Sequence, residues 1–86
     1  MKQKWIEKEG ETIELPALTA VIEWDGICYS SKCLELGVAS QGKTQKDAYA
    51  MLAEAVELWL ECASAKEIKR RLKRGGAVKP LELAHA

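Results

Sequence analysis

The sequence predicts an α+β fold, in which a three-to-four-stranded antiparallel sheet in β-β-β-α-β order packs on one main helix. Apolar and polar residues alternate on both sides of Asp25-Gly26, the pattern of a β-hairpin. A capped helical segment with an apolar stripe follows at residues 44–62. A length of 86 residues allows a single domain with a thin core, and 48% of the residues are hydrophobic, which is more than such a core can easily bury. We therefore expect the chain to self-associate.

Residues 1–16, the N-terminal arm, are compatible with two structures. Apolar residues lie on both sides of Glu9-Gly10, which favours a hairpin or an irregular segment. The high charge density around that turn also permits a frayed helical arm.

Three strands are predicted in residues 18–41. In the first, residues 18–24, every second residue is apolar and these residues share one face: Leu18, Ala20, Ile22 and Trp24. The second strand, residues 27–33, places Cys28 and Cys33 on opposite faces. A short third strand at residues 38–41 ends at Gly42.

The main helix begins at Thr44, whose side chain can accept a hydrogen bond from the Asp47 N–H in a short-armed capping box. One apolar stripe is expected to pack on the sheet: Ala48, Leu52, Ala55, Trp59 and Cys62. Further apolar residues widen this face and predict an oligomer interface: Tyr49, Val56 and Leu60. The opposite stripe is acidic: Asp47, Glu54, Glu57 and Glu61.

A second capping pattern, Ser64-x-x-Glu67, predicts a short basic helix that Gly75-Gly76 terminates. Residues 78–83 can form a last strand, which must lie at a sheet edge because Pro80 has no N–H to donate. The expected organisation is therefore an arm at 1–16, a core at 18–62, and a basic helix and strand at 64–86.

Charge is unevenly distributed although the formal net charge is zero. Residues 1–63 carry six lysines and eleven acidic residues, a balance of −5, whereas residues 64–86 carry a balance of +5. Such a chain suits head-to-tail contacts or a basic partner on the acidic part, and it disfavours nucleic acid lying across the sheet.

The sequence contains no recognisable catalytic constellation, and we expect neither enzymatic activity, nor a cofactor, nor a metal site. The three cysteines have no zinc-ligand spacing and are interpreted as reduced thiols, with Cys62 packing in the helix stripe. The acids Glu23, Asp25 and Glu35 are near one another in the strand region, but Asp25 at a turn tip and Glu35 in a loop are both expected to be solvated, which disfavours a paired-carboxylate site. No apolar run is long enough to span a membrane and no signal peptide is evident, so a cytoplasmic location is expected.

The basic helix at residues 66–74 leaves a second function open. Its cations could contact phosphates, most directly through Lys69, Arg70, Arg71 and Arg74. Without interleaved aromatic residues, such binding would be salt-sensitive and independent of sequence. The simpler interpretation is a solvated helix whose cations favour its own dipole and pair with a neighbouring subunit.

Several segments, taken in order, carry a family resemblance: VIEWDG, Tyr29, the segment CLELG at residues 33–37, VASQG at 38–42, and TQKDA at 44–48. In this combination the chain resembles the HicB-like antitoxins of toxin–antitoxin systems. It departs from the family pattern at Leu34, where the family has proline. We also expect no helix-turn-helix or ribbon-helix-helix DNA-binding domain, because only 23 residues follow Ala63.

The resemblance implies a partial ribonuclease-H-like sheet and an antitoxin that covers a HicA-like small ribonuclease toxin. Independently of the resemblance, the apolar residues in excess of what one small core can bury predict a homo-oligomer, either a dimer or a tetramer. Contact with the toxin is expected at the exposed sheet face and edge, at the loop and strand of residues 33–41, and at the outer helix face. The residues named for this contact are Tyr29, Leu34, Glu35, Leu36 and Val38.

Overall fold

The computed structural model describes residues 5–74 and 79–84. It confirms the α+β class, with two antiparallel sheets and two helices among these residues. The elements follow in the order β1 (Trp5–Lys8), β2 (Glu11–Glu14), β3 (Ala20–Trp24), β4 (Tyr29–Cys33), β5 (Ala39–Gly42), α1 (Gln45–Cys62) and α2 (Ala65–Arg74).

Within the N-terminal arm, residues 5–14 form a hairpin, so the helical alternative is wrong for these residues. Strands β1 and β2 pair antiparallel, with Ile6 opposite Ile13. The turn residues Glu9 and Gly10 both have positive φ, of 53° and 79°, as a two-residue hairpin turn requires. Ile13 is 4% exposed, so this hairpin is anchored to the rest of the protein.

The second sheet has the strand order β3-β4-β5, and α1 packs on one of its faces. Ala20 lies opposite Cys33 and Ile22 lies opposite Ser31, so the alternating residues share a face as the sequence predicts. Gly42 ends β5 beneath α1, where a Cβ atom would lie only 2.4 Å from the Ala48 nitrogen. Glycine at this position therefore allows the sheet and the helix backbone to approach closely.

Helix α1 begins as predicted, since the Asp47 N–H donates to Thr44 Oγ1 at 3.0 Å. The residues it buries are Ala48, Leu52 and Val56. Two of these belong to the predicted stripe, but Cys62 at the end of that stripe is exposed. The prediction that Cys62 packs in the core is wrong because α1 ends there and the chain turns away into α2.

Helix α2 also begins at its predicted cap, where the Glu67 N–H donates to Ser64 Oγ at 3.1 Å. Its acidic residue lies in the first turn and its last turn is basic, which favours the helix dipole. Ile68 is fully buried on the inner face.

Two hydrophobic clusters form the interior. The sheet cluster contains Cys33, Leu36, Leu52 and Val56. The hairpin cluster contains Ile13, Ala65 and Ile68. Trp59, Leu60 and Leu72 pack against both clusters and join them.

The predicted C-terminal strand is wrong over residues 79–84, which form no strand, and Val78 and Gly75-Gly76 lie outside the described residues. Leu81 is 87% exposed, so this segment buries little apolar area that could offset ordering it. The predicted β-β-β-α-β order is replaced by five strands followed by two helices. Within the described chain, neither helix has the length and apolarity needed to cross a bilayer.

Candidate binding surfaces

The main sheet presents one face and two edges away from α1. Four residues on that face are exposed: Glu23, Lys32, Ala39 and Gln41. Strands β3 and β5 each have a neighbour on one side only among the described strands. An edge of this kind offers main-chain N–H and C=O groups to an added strand.

The turn between β3 and β4 is held by the carboxylate of Asp25. Asp25 Oδ1 accepts hydrogen bonds from the N–H groups of Ile27 and Cys28, both at 2.9 Å. Both hydrogen bonds lower the pKa of Asp25, and the one from the Cys28 N–H has the larger effect. The Asp25-Gly26 pair therefore opens a four-residue loop rather than the two-residue turn, and β4 begins at Tyr29.

This loop projects apolar side chains into solvent. Ile27 is 88% exposed and Trp24, at the end of β3, is 57% exposed. Trp24 packs against Tyr29 with ring centroids 5.0 Å apart, which fixes its orientation at the sheet edge. We call Trp24, Ile27 and Tyr29 the apolar tip.

The predicted toxin-contact residues divide between surface and core. Tyr29 and Leu34 are half-buried and have atoms at the surface. Leu36 is only 1% exposed and belongs to the sheet cluster, against which Val38 also packs. The sequence pattern did not separate these roles, because a loop residue that closes the end of a core is as apolar as one that binds a partner.

Glu35 has a structural contact that the sequence did not reveal. The Thr19 N–H and the Thr19 hydroxyl donate to its two carboxylate oxygens, each at 2.7 Å. Burial raises the pKa of Glu35, but the hydrogen bonds from Thr19 outweigh burial and the net pKa is lowered. Glu35 therefore ties the loop after β4 to the segment before β3 and is not the solvated loop acid that was expected.

Three of the six cations of α2 form ion pairs within the chain. Lys69 pairs with Glu11, and Arg70 pairs with Glu67. Arg71 Nε donates to Glu67 at 3.0 Å, Arg71 Nη1 donates to the Leu36 carbonyl at 2.7 Å, and the guanidinium lies 5.3 Å from the Trp59 ring centroid. For Arg74, the described residues supply no ion pair.

The residues predicted for an oligomer interface are not all available for one. Val56 is 9% exposed and belongs to the sheet cluster, while Leu60 packs against both clusters. Tyr49 is 58% exposed. The exposed apolar residues further round α1 are Met51, at 47%, and Leu58, at 60%, neither of which the sequence singled out. Their exposure depends on the rotation of the helix over the sheet, which the sequence pattern leaves undetermined.

The cysteines are reduced and do not converge. Cys33 is buried on the helix-facing side of the sheet, where burial raises the pKa of its thiol. Cys28 lies in the turn. Its pKa is raised mainly by partial burial and also by the negative charge of the nearby Asp25 carboxylate. Across residues 5–74 and 79–84, no three His, Cys, Asp or Glu side chains are grouped to hold a metal ion.

In a comparison with known proteins, no family model, curated protein or solved structure matches the chain.

Proposed function

We propose that this chain is a HicB-like antitoxin, or a binding module derived from one, that sequesters a small ribonuclease by protein–protein contact. The observation that supports it best is the apolar tip at the end of the β3–β4 hairpin, where Trp24 ends the open edge strand β3. Exposed aromatic and aliphatic residues beside unpaired main-chain groups are typical of surfaces that bind an extended segment of a partner.

The charge of the surface supports the same partner. The outer face of α1 carries Asp47, Glu54, Glu57 and Glu61, all exposed. A ribonuclease that binds RNA has a basic surface, and complementary charge accelerates its encounter with an acidic protein. In a molecule whose α1 is not covered by another copy of the chain, the acidic helix would therefore guide such an enzyme, and the apolar tip with the sheet edge would hold it.

The alternative, a nucleic-acid adaptor that uses residues 66–74, has less support. Three of its four expected contact residues, Lys69, Arg70 and Arg71, already donate to carboxylates of the chain. Arg71 also donates a hydrogen bond to the Leu36 carbonyl. Phosphate would have to displace these contacts before it could bind.

The test is inhibition of a small basic ribonuclease encoded next to this chain. Equimolar addition of the purified chain should abolish RNA cleavage, and the two proteins should co-elute in gel filtration. Ile27→Lys should weaken inhibition at least tenfold because it places a charge at the apolar tip. The matched control, Leu81→Lys, changes an equally exposed side chain elsewhere and should inhibit normally. Equimolar mixing with neither a complex nor inhibition would contradict the proposal.

A further inference from the structure

The outer surface of α1 combines carboxylates with exposed apolar side chains. Glu54, Glu57 and Glu61 follow one another at i, i+3 and i+7, so they line one side of the helix. Met51 and Leu58 lie beside them, each about one turn before one of these carboxylates. We call these five residues the acidic ridge.

The carboxylates of the acidic ridge form no ion pair within the described chain. Lys8 lies beside Glu57 and Glu61, but its ammonium donates to the main-chain carbonyl of Glu61. The three carboxylates of the ridge therefore remain available to cations of another molecule.

The outer surface of α2 has the complementary character. Lys66, Arg70 and Lys73 follow at i, i+4 and i+7 and are exposed. They lie opposite the buried residues Ala65 and Ile68. We call these three residues the basic ridge. Arg70 pairs with Glu67 in the same helix, and Lys66 and Lys73 have no ion pair within the described residues.

The charged residues of the two ridges match in spacing as well as in sign. Glu54 to Glu61 and Lys66 to Lys73 each extend over seven helical rises, which is about 10 Å at the α-helical rise of about 1.5 Å per residue. Lysine and arginine carry long aliphatic stems that can cover exposed apolar side chains such as Leu58. A basic ridge can therefore neutralise the carboxylates and cover the apolar residues of an acidic ridge at the same time.

We infer that the acidic ridge of one molecule binds the basic ridge of a second copy of this chain. A two-fold arrangement forms the ridge-to-ridge contact twice and closes the assembly as a dimer. Because exposed ion pairs are individually weak, the contact depends on several of them acting together and on low ionic strength. This interface replaces the one expected at Val56 and Leu60, whose side chains pack within the molecule.

The first experiment is sedimentation velocity of the purified chain alone, at low and at high sodium chloride concentration. The expected result is a dimer at low salt whose dissociation constant rises at least tenfold in about 0.5 M salt, where the Debye length falls to about 4 Å. A monomer at low salt, or association that does not respond to salt, would overturn the inference. No ribonuclease is present, so the outcome is independent of whether the proposed function is right.

The second experiment identifies the ridges by charge reversal. One variant carries Glu54→Lys, Glu57→Lys and Glu61→Lys, and the other carries Lys66→Glu, Arg70→Glu and Lys73→Glu. Each should be monomeric alone, because its retained ridge and its reversed ridge carry the same charge. An equimolar mixture should form a heterodimer, because the two retained ridges have opposite charge and so do the two reversed ridges. Self-association of either variant at the wild-type level, or a mixture that stays monomeric, would contradict the inference.

Circular dichroism establishes that each variant is folded before it is mixed. If a reversed variant does not fold, the substitution of all three glutamates by glutamine replaces it. This neutral variant removes the ridge charge without repulsion and should raise the dissociation constant at least tenfold at low salt. An unchanged dissociation constant would overturn the inference.

Discussion

Arg71 shows how a single residue of a basic helix can be structural. Its guanidinium joins three separate parts of the chain: Glu67 in α2, the Leu36 carbonyl in the loop after β4, and the ring of Trp59 in α1. Arginine suits this position because its planar fork donates in several directions while its face packs on an aromatic ring. From the sequence, Arg71 could not be distinguished from the cations beside it.

Arg71→Met should therefore lower the free energy of unfolding by about 1–3 kcal/mol, because it keeps much of the aliphatic stem but removes the charged hydrogen bonds. Urea unfolding at neutral pH measures the change. Arg74→Met is the matched control, since Arg74 is exposed and has no ion pair within the described residues, and it should change stability by less than about 0.5 kcal/mol. Equal effects of the two substitutions would show that the Arg71 contacts do not stabilise the fold.

Glu35 gives a prediction about pH. Its pKa in the folded protein is lowered from the ordinary value of 4.5, because hydrogen bonds from Thr19 outweigh the effect of burial. The stability it contributes is therefore complete above that ordinary value and is lost as the pH falls through the lowered one. Glu35→Gln should cost about 1–2 kcal/mol at neutral pH, and the difference from wild type should shrink below about pH 4.

Urea unfolding of both proteins across this pH range measures that difference. Glu23→Gln, on the exposed face of the sheet, is the control and should stay within about 0.5 kcal/mol of wild type at neutral pH. If the difference in free energy of unfolding between wild type and Glu35→Gln stays constant down to pH 3, the role assigned to the Thr19 hydrogen bonds is contradicted.

At the scale of elements, the hairpin β1–β2 depends on docking for its order. An isolated two-stranded hairpin is only marginally stable in water, and this one buries Ile13 against Ala65 and Ile68. Ile68→Ala should cost about 2–4 kcal/mol and should selectively increase hydrogen exchange in residues 5–14. Ile27→Ala removes the same atoms from an 88% exposed side chain and should do neither. If Ile68→Ala increases hydrogen exchange equally in both sheets, the hairpin does not depend separately on its contact with α2.

Elements specified by local chemistry were predictable from the sequence. Both helix starts depend on a hydroxyl three residues before a main-chain N–H, and the strands of the main sheet depend on alternation around Asp25. Features that depend on distant packing were not predictable. Residues 79–84 have an apolar pattern but no strand, and Val56 is core because of the rotation of α1 over the sheet.

For the candidate surfaces, the same distinction holds. The acidic stripe of α1 was visible from helical spacing, because periodicity alone places its carboxylates together. The exposure of Trp24 and Ile27 could not be predicted from the sequence, because it depends on the loop that the Asp25 carboxylate stabilises. The Glu35 and Arg71 contacts join residues far apart in the chain, and no local pattern identifies such pairs.

At the scale of the whole molecule, the two hydrophobic clusters are joined by residues that touch both. Trp59, Leu60 and Leu72 pack against the sheet cluster and against the hairpin cluster. Cooperative unfolding needs such shared contacts, because two clusters that do not interact lose their structure independently. The molecule should therefore unfold in one transition only while this junction is intact.

Leu72→Ala should weaken this junction and split the single unfolding transition into two. We expect the hairpin and α2 to unfold at lower urea than the main sheet with α1, so the apparent m-value should fall even though both clusters form. Leu52→Ala is the matched control: it removes the same atoms from the sheet cluster, so it should cost about 2–5 kcal/mol with an unchanged m-value. Tryptophan fluorescence and circular dichroism should give different midpoints for Leu72→Ala and coincident ones for Leu52→Ala. Coincident transitions in both variants would show that the clusters are joined more strongly than these three residues account for.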